Sequence, residues 1–216
     1  MPDSSLTAEQ VENLFTTDGK YHFARWGRPI APVVFGTDDD SLGAIKDAFQ
    51  TVALLADMKL ADVDPEFGSN FLVFFCSDWS EIAEVPDLHH LIPNLDDVLG
   101  QLTKQNANQY RKFMFDEGGA IKLAVLLLRY DDEMASVSVQ ALATAQMAQT
   151  MLVWGRMAFA FKSPIGMIEE NNMAIVRPVI AALIRSAYDK TMPNAADDVS
   201  HAIRLSARVM QLMREI

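Results

Sequence analysis

Phe71-Leu72-Val73-Phe74-Phe75-Cys76 is a continuous hydrophobic run, and Lys122-Leu123-Ala124-Val125-Leu126-Leu127-Leu128 repeats the pattern farther along the chain. Continuous runs of this kind are typical of strands that are covered on both faces of a sheet. We therefore predict two central strands at these positions. Strands that alternate with helices, followed by a helical C-terminal part, indicate an α/β (α+β) fold in which helices pack on one mixed β-sheet.

The rest of the chain fits this plan as a single domain over residues 1–216, an ordinary length for one hydrophobic core. Hydrophobic spacing and capping residues predict helices in several segments, which are 6–15, 42–57, 95–111, 134–155, 172–190 and 196–214. Two shorter segments, 21–26 and 30–35, are predicted to be extended. Pro32 favours an edge position for the second of them, because proline cannot donate a hydrogen bond to a neighbouring strand.

The charge of the chain is negative and unevenly distributed. The formal net charge is −11, with 18 acidic and 5 basic residues in 1–100 and 11 acidic and 13 basic residues in 101–216. Nucleic acids are bound mainly by clustered Lys and Arg, and the sequence has no such cluster, so nucleic acid is not an expected partner. Gln140, Gln146 and Arg156 interrupt the longest apolar stretches, so we predict no membrane insertion.

The N-terminus and the cysteine content bear on localisation. The first six residues lack the basic start and apolar core of a signal peptide, which predicts a cytoplasmic protein, or a periplasmic one if a signal peptide has been removed. Cys76 is the only cysteine, so no intrachain disulfide can form. Its apolar neighbours favour an inert buried thiol over a nucleophile, because burial raises the pKa of a thiol.

Candidate chemical groups are sparse in this sequence. The densest set of metal-ligand types is His89-His90 with Asp87, but adjacent residues do not share one face of a helix or strand, and no further ligand follows at a recognisable spacing. A loop or surface pair is favoured instead. The acid pairs Asp131-Asp132, Glu169-Glu170 and Asp197-Asp198 suit helix capping better than proton transfer. We therefore predict no catalytic residue, no metal ligand and no cofactor.

Several short phrases, in the order in which they occur, carry a resemblance to a known family. These phrases are Arg25-Trp26 with Pro29, Ile92-Pro93-Asn94, 147–151, Asn171-Asn172, and 184–189 followed by Met192. Together with the order of elements they resemble a family of proteobacterial zincin-like proteins of unknown function, many of them classed as periplasmic lipoproteins. The resemblance covers about residues 21–210, and it implies a zincin-like scaffold.

The central helix is where this chain departs from that family. The family's helix usually begins His-Glu and continues with a glutamine, whereas the matching positions here are Thr144, Ala145 and Gln149. Threonine and alanine supply neither an imidazole ligand nor a carboxylate base, so the hydrolytic role is not transferred. The resemblance therefore implies a pseudoenzyme with a remnant cleft. The candidate binding residues of that cleft are Thr144, Ala145, Gln146, Gln149 and Trp154.

The sequence supports three hypotheses of function. The leading one is a non-catalytic, zincin-like interaction or accessory protein. Its protein partner, or a second copy in self-association, would bind the acidic first half or the helical part, where ten of the 12 methionines lie at or beyond Met114. One alternative is a hydrolase with an atypical site assembled from distant Asp and Glu residues and His89 or His90, with or without a metal ion. The other is a small-molecule binding module in which three tryptophans line an apolar pocket, namely Trp26, Trp79 and Trp154.

Overall fold

The computed structural model of the chain describes residues 6–168, 170 and 173–215, and it shows an α+β fold with a mixed sheet between two sets of helices. The helices are α1 (Ala8–Leu14), α2 (Asp39–Ala53), α3 (Trp79–Ala83), α4 (Leu88–Leu91), α5 (Leu95–Lys104), α6 (Asp132–Ala135), α7 (Val139–Thr150), α8 (Pro178–Ala187) and α9 (Ser200–Glu215), with a 3₁₀ turn at Leu54–Ala56. The strands are β1 (Thr16–Thr17), β2 (Lys20–Tyr21), β3 (Phe23–Ala24), β4 (Pro32–Phe35), β5 (Phe71–Cys76), β6 (Gln109–Phe115), β7 (Ile121–Arg129), β8 (Ile165–Ile168), β9 (Met173–Val176) and β10 (Ala195–Ala196).

The central sheet has the strand order β4-β5-β7-β6. Strands β4, β5 and β7 run parallel, and β6 is antiparallel to β7. The two hydrophobic runs predicted to be central strands correspond to β5 and β7, so this prediction is confirmed. Each of them is paired on both sides, which satisfies backbone groups that water cannot reach.

Both faces of the central strands are buried. Side chains alternate along a strand, and Phe71 and Val73 accordingly face a core built with α2, α7, α8 and α9. Phe74 and Cys76 face a second core built with α3, α4 and α5. This double burial explains why the two runs show no alternation of polar and apolar residues.

The helix predicted over 95–111 is wrong in its second half. Helix α5 ends at Lys104, and Asn106 adopts a left-handed conformation with a φ of 47°, which an α-helix cannot continue through. Residues 109–115 instead form β6, whose first residue pairs with Leu128 of β7. Pairing with a buried strand outweighs the helical propensity of so short a segment.

Two predicted C-terminal helices are shorter than expected. The segment 134–155 divides into α6 and α7, because Ser138 caps α7 and its Oγ accepts the N–H of Ala141 at 3.2 Å. The segment 172–190 becomes helical only at Pro178, whose fixed φ suits the first turn of α8. Residue 172 lies outside the described residues, and β9 pairs with β8 as a hairpin that the sequence did not predict.

The other predicted elements are confirmed with shifted ends. The segments 6–15, 42–57 and 196–214 overlap α1, α2 and α9, and 42–57 also includes the 3₁₀ turn. The extended segments hold only the short strands β2, β3 and β4, and β4 contains Pro32 and lies at the edge of the sheet, as predicted. Over the described residues, none of the helices combines the length and the apolar character that crossing a bilayer requires.

Helix α9 packs on the N-terminal part of the chain through a buried histidine. His201 is 1% exposed, and its Nδ1 atom lies 2.7 Å from the hydroxyl oxygen of Tyr21. The imidazole ring lies against Phe23, with 4.2 Å between the ring centroids, and its Nε2 atom is buried without a hydrogen-bond partner in the described chain. Burial, assisted by the nearby charge of Arg204, lowers the pKa of His201 to about 4.

We expect the folded state to lose stability between about pH 6.5 and pH 4 because of His201. The unfolded chain binds a proton at this residue near the ordinary pKa of about 6.5, whereas the folded chain stays neutral there until about pH 4. Stability from this source is therefore present at neutral pH and lost as the pH falls through that window, by roughly 3 kcal/mol in total. Urea unfolding at several pH values should show a steep loss in the wild type and a much shallower one in His201→Gln. His89→Gln, at an exposed position of α4, provides the control and should keep the wild-type pH dependence; a wild-type dependence in His201→Gln would contradict the assignment.

Candidate functional site

Helix α7 is the helix to which the sequence analysis assigns a remnant cleft. It contains no ionisable side chain. It packs against α2 and against the β8–β9 hairpin, and it also lies beside β6, to which it is hydrogen-bonded. The contacts of its polar side chains therefore determine which chemistry the helix can support.

Thr144 is bonded to its own helix, next to the β8–β9 hairpin. Its hydroxyl donates to the carbonyl oxygen of Gln140 at 2.7 Å and accepts from the Gln140 Nε2 atom at 3.2 Å. Gln140 also donates to the carbonyl oxygen of Ala174 in β9 at 2.9 Å and accepts from the N–H of that residue at 3.3 Å. The Thr144 hydroxyl is thus used within the fold, and the neighbouring Ala145 offers only a methyl group.

Gln146 lies on the opposite side of α7, since two residues along a helix are roughly 200° apart. Its Oε1 atom accepts a hydrogen bond from the Arg111 guanidinium, and its Nε2 atom donates to Gln109 Oε1 at 3.0 Å. Arg111 also donates from Nε to the hydroxyl of Thr150 at 3.1 Å. Burial lowers the pKa of Arg111 to about 10, and no carboxylate of the described residues forms an ion pair with it.

The remaining two candidates have different surroundings again. Gln149 is half-buried and forms no hydrogen bond within the described part of the chain. Trp154 donates from Nε1 to the carbonyl oxygen of Ala148 at 3.2 Å, stacks on Phe15 with 5.2 Å between ring centroids, and meets the edge of Phe159. The predicted residues therefore do not share one set of surroundings. Thr144 lies beside the hairpin, Gln146 contacts β6, and Trp154 packs on the aromatic group beside α1, which consists of Phe15 and Phe159.

Sequence reasoning missed Gln109 and Arg111, the two β6 residues that contact α7. It placed both in a helix, so their side chains were not expected to face Gln146. A signal was present, because aromatic residues recur in 109–115 among polar ones, a composition that suits a partly exposed strand. The hydrogen-bond pattern itself depends on pairing with β7 and could not be derived from this segment alone.

The histidines lie in separate parts of the fold. His89 and His90 are exposed on α4 with 4.0 Å between ring centroids, and His90 Nε2 is 3.8 Å from Asp87 Oδ1. His22 and His201 lie far along the chain from this pair and contact other residues. Within residues 6–168, 170 and 173–215, no group of three or more His, Cys, Asp or Glu side chains could hold one metal ion.

Other groups considered from the sequence have structural roles. Cys76 is buried, and mainly this burial raises the pKa of its thiol to about 11, so the prediction of a buried thiol is confirmed. The capping prediction is confirmed for one residue of each of the pairs 131–132 and 197–198, whereas Glu169 lies outside the described residues and Glu170 is in a turn. Asp131 accepts the N–H of Met134 at 3.0 Å, and Asp198 accepts the N–H of Ser200 at 2.7 Å.

The three tryptophans do not line a common pocket, so that expectation is wrong. Trp26 is buried in the core that contains α7, and its Nε1 atom donates to the carbonyl oxygen of Thr150 at 2.9 Å. Trp79 is buried in the core on the other face of the sheet, where Nε1 donates to the carbonyl oxygen of Ala107 at 3.3 Å. Trp154 packs on the aromatic group beside α1.

A cleft of about 1230 Å³ opens between the 3₁₀ turn, α8 and α9, and we call it the α8–α9 cleft. One face of α8 forms its floor, because the lining residues of this helix recur at helical spacing. The floor residues are Pro178, Ala181, Ala182, Arg185 and Ser186. The walls come from Leu54 to Asp57 on one side, from Tyr188 to Thr191 after α8, and from Arg208, Gln211 and Leu212 of α9.

The cations of the α8–α9 cleft differ in whether they are paired. Arg208 donates from Nη1 to Asp189 Oδ2 at 2.6 Å and from Nη2 to the hydroxyl of Thr191. Hydrogen bonds from the N–H and hydroxyl of Thr191, and then the charge of Arg208, lower the pKa of Asp189. Arg185 and Lys190, in contrast, have no ionic partner among the residues that the structure describes. The cleft thus presents two unpaired cations.

Comparison with known proteins adds no relative to this picture. No protein-family model matches the chain, and neither a curated protein nor a solved structure is significantly similar to it. The zincin-like resemblance therefore depends on the sequence phrases and the order of elements, and one of those phrases, Asn171-Asn172, lies outside the described residues. Function has to be argued from the chain's own side chains.

Proposed function

We propose that this chain is a non-catalytic interaction or accessory protein on a zincin-like scaffold. The observation that carries the proposal is that the polar groups of α7 are used inside the fold, with Thr144 bonded to Gln140 and Gln146 bonded to Arg111. Zinc-dependent hydrolysis needs imidazole or carboxylate ligands and a base that activates water. Helix α7 supplies neither, because it has no ionisable side chain.

The acidic helix starts of the first half support binding of a protein partner. Helices α2, α3 and α5 all begin with acidic residues, and these carboxylates are exposed to solvent. They include Asp39, Asp40, Glu81, Asp96 and Asp97. A concentration of one charge sign speeds association with a surface of the opposite sign and discriminates against other partners. The partner that this surface favours is therefore a basic one.

Zinc binding by the full chain tests the proposal. Protein treated with EDTA and then dialysed would be titrated with Zn²⁺ in a calorimeter, and its metal content would be measured before and after. We expect no stoichiometric site in the wild type and the same result in His89→Ala/His90→Ala. Stoichiometric zinc that disappears in this double variant would overturn the proposal in favour of the hydrolase hypothesis.

The structural role assigned to Gln146 gives a second test. Gln146→Ala removes the buried acceptor of the Arg111 Nη2 atom and the donor to Gln109 Oε1, which should lower the free energy of unfolding by about 1–3 kcal/mol. Gln149→Ala is the matched control on the same helix, and it should change stability by no more than about 0.5 kcal/mol. Urea unfolding followed by circular dichroism would measure both. Equal, small effects at the two positions would show that Gln146 is not held by the fold and is free for another role.

A further inference from the structure

We propose that the α8–α9 cleft binds a small organic anion that carries an apolar body, with a carboxylate or phosphate head group at Arg185 and Lys190. This inference goes beyond the proposed function, which concerns a protein partner and the acidic residues of the first half. The apolar body would lie on Leu54, Leu55 and Leu212. The bound species would be a small amphiphile, not a protein or a nucleic acid.

The shape of the cleft suits such a molecule. Ala181, Ala182 and Ser186 are small, so the floor along α8 leaves room for a ligand between the 3₁₀ turn and α9. Its volume of about 1230 Å³ is enough for a whole small molecule, since ligand pockets measure roughly 300–1,000 Å³. Leu54 is 55% exposed at this wall, and an apolar ligand would remove that surface from water.

The charge of the cleft supports an anionic head group. Arg208 neutralises Asp189, so Asp57 is the only unpaired carboxylate among the described lining residues, against the two unpaired cations Arg185 and Lys190. This local excess of positive charge occurs in a chain whose net charge is −11. A carboxylate or phosphate in this position would form charge-assisted hydrogen bonds, which are stronger than those between neutral groups.

Ser186 adds a polar group at the floor. It is 2% exposed, and its Oγ atom has no hydrogen-bond partner within the described chain. Buried hydroxyl groups in proteins normally have a partner. Because this Oγ atom is not accessible to solvent, a head group on α8 would contact Arg185 and Lys190 and not this hydroxyl.

The wall of the cleft is fixed before a ligand arrives. The hydrogen bonds from Arg208 to Asp189 and Thr191 join α9 to the segment that follows α8. They fix the positions of these two walls relative to each other without using Arg185 or Lys190. When a site is already formed, little conformational entropy is lost as the ligand binds. Arg185 and Lys190 are not used to form this site, so both are available to the ligand.

Calorimetric titration of the full chain with decanoate, kept below its micelle-forming concentration, tests the inference. Decanol and decyltrimethylammonium are the matched neutral and cationic probes. We expect decanoate to saturate one site, decanol to bind about ten-fold more weakly or worse, and the cation not to bind, because only decanoate can pair with the two cations. Leu54→Ser, an exposed change that the fold should tolerate, should weaken decanoate binding several-fold.

Charge-reversal variants locate the site. Arg185→Glu/Lys190→Glu should weaken decanoate binding by about ten-fold or more. Lys46→Glu/Lys104→Glu makes the same change in net charge at two exposed positions outside the cleft, and it should leave binding unchanged.

Three results would each overturn the inference. They are absence of saturable binding to the folded wild type, equal losses in the two double variants, and equal affinity for the cationic probe. Zinc titration and decanoate titration report on different sites, so failure of the cleft is distinguishable from failure of the non-catalytic proposal.

Discussion

Gly36→Ala is expected to destabilise the protein strongly. Gly36 follows β4 with a φ of 78°, and a Cβ atom added there would lie 2.1 Å from the carbonyl oxygen of Phe75 in β5. A backbone oxygen in a paired central strand cannot move aside at low cost. The left-handed backbone and the clash together should lower the free energy of unfolding by on the order of 4 kcal/mol.

Gly43→Ala is the control for this prediction. Gly43 lies within α2, and a Cβ atom there would meet no other atom within 4 Å. Alanine is favoured over glycine in a helix interior, so this variant should be stabilised by about 0.5–1 kcal/mol. Urea unfolding curves of the two variants should therefore shift in opposite directions. Wild-type stability of Gly36→Ala would show that the end of β4 does not approach β5 as closely as described.

The contrast between β5 and β6 shows which parts of the fold can be predicted from sequence. The six residues Phe71–Cys76 are apolar throughout because both faces of β5 are buried, and this property is local to the segment. Strand β6 lies at the sheet edge and is partly exposed, so polar residues such as Arg111 interrupt its pattern. Its state is decided by pairing with Ile121 to Leu128 of β7, and the only sign of a strand inside the segment is its recurring aromatic residues.

The side-chain contacts of the two candidate sites also depend on long-range packing, which the sequence alone does not show. Gln146 could be singled out on one helix, but its partner Arg111 follows from the position of β6. The α8–α9 cleft is assembled from α8 and α9, which are close together in the chain, and from the 3₁₀ turn, which lies far before them. Arg185 lies within the phrase 184–189 that carries part of the family resemblance, yet only the fold shows that it has no ionic partner there.

Asn70→Ala should cause one of the largest losses of stability in the chain. Asn70 is fully buried just before β5, and its Oδ1 atom accepts the N–H of Ala31 at 2.7 Å. Its Nδ2 atom donates to the carbonyl oxygen of Pro29 at 2.9 Å and to Asp64 Oδ2 at 3.1 Å. Alanine would leave these three groups without their partner, at a total cost of roughly 3–6 kcal/mol if each loses about 1–2 kcal/mol.

Two further variants separate lost hydrogen bonds from lost volume at this position. Asn70→Asp keeps the size and the acceptor oxygen of the side chain but places a second carboxylate next to that of Asp64. It should therefore also be strongly destabilised at neutral pH. It should recover part of the lost stability as the pH falls and one of the two carboxylates becomes protonated. Asn13→Ala, at an exposed position of α1, should change stability by no more than about 0.5 kcal/mol. Urea midpoints of all three variants at neutral and acidic pH provide the measurement. If Asn70→Asp matched the wild type at neutral pH, the contact with Asp64 would not contribute to the fold. Of the three hydrogen bonds of the Asn70 side chain, only those to Pro29 and Ala31 would then contribute to stability.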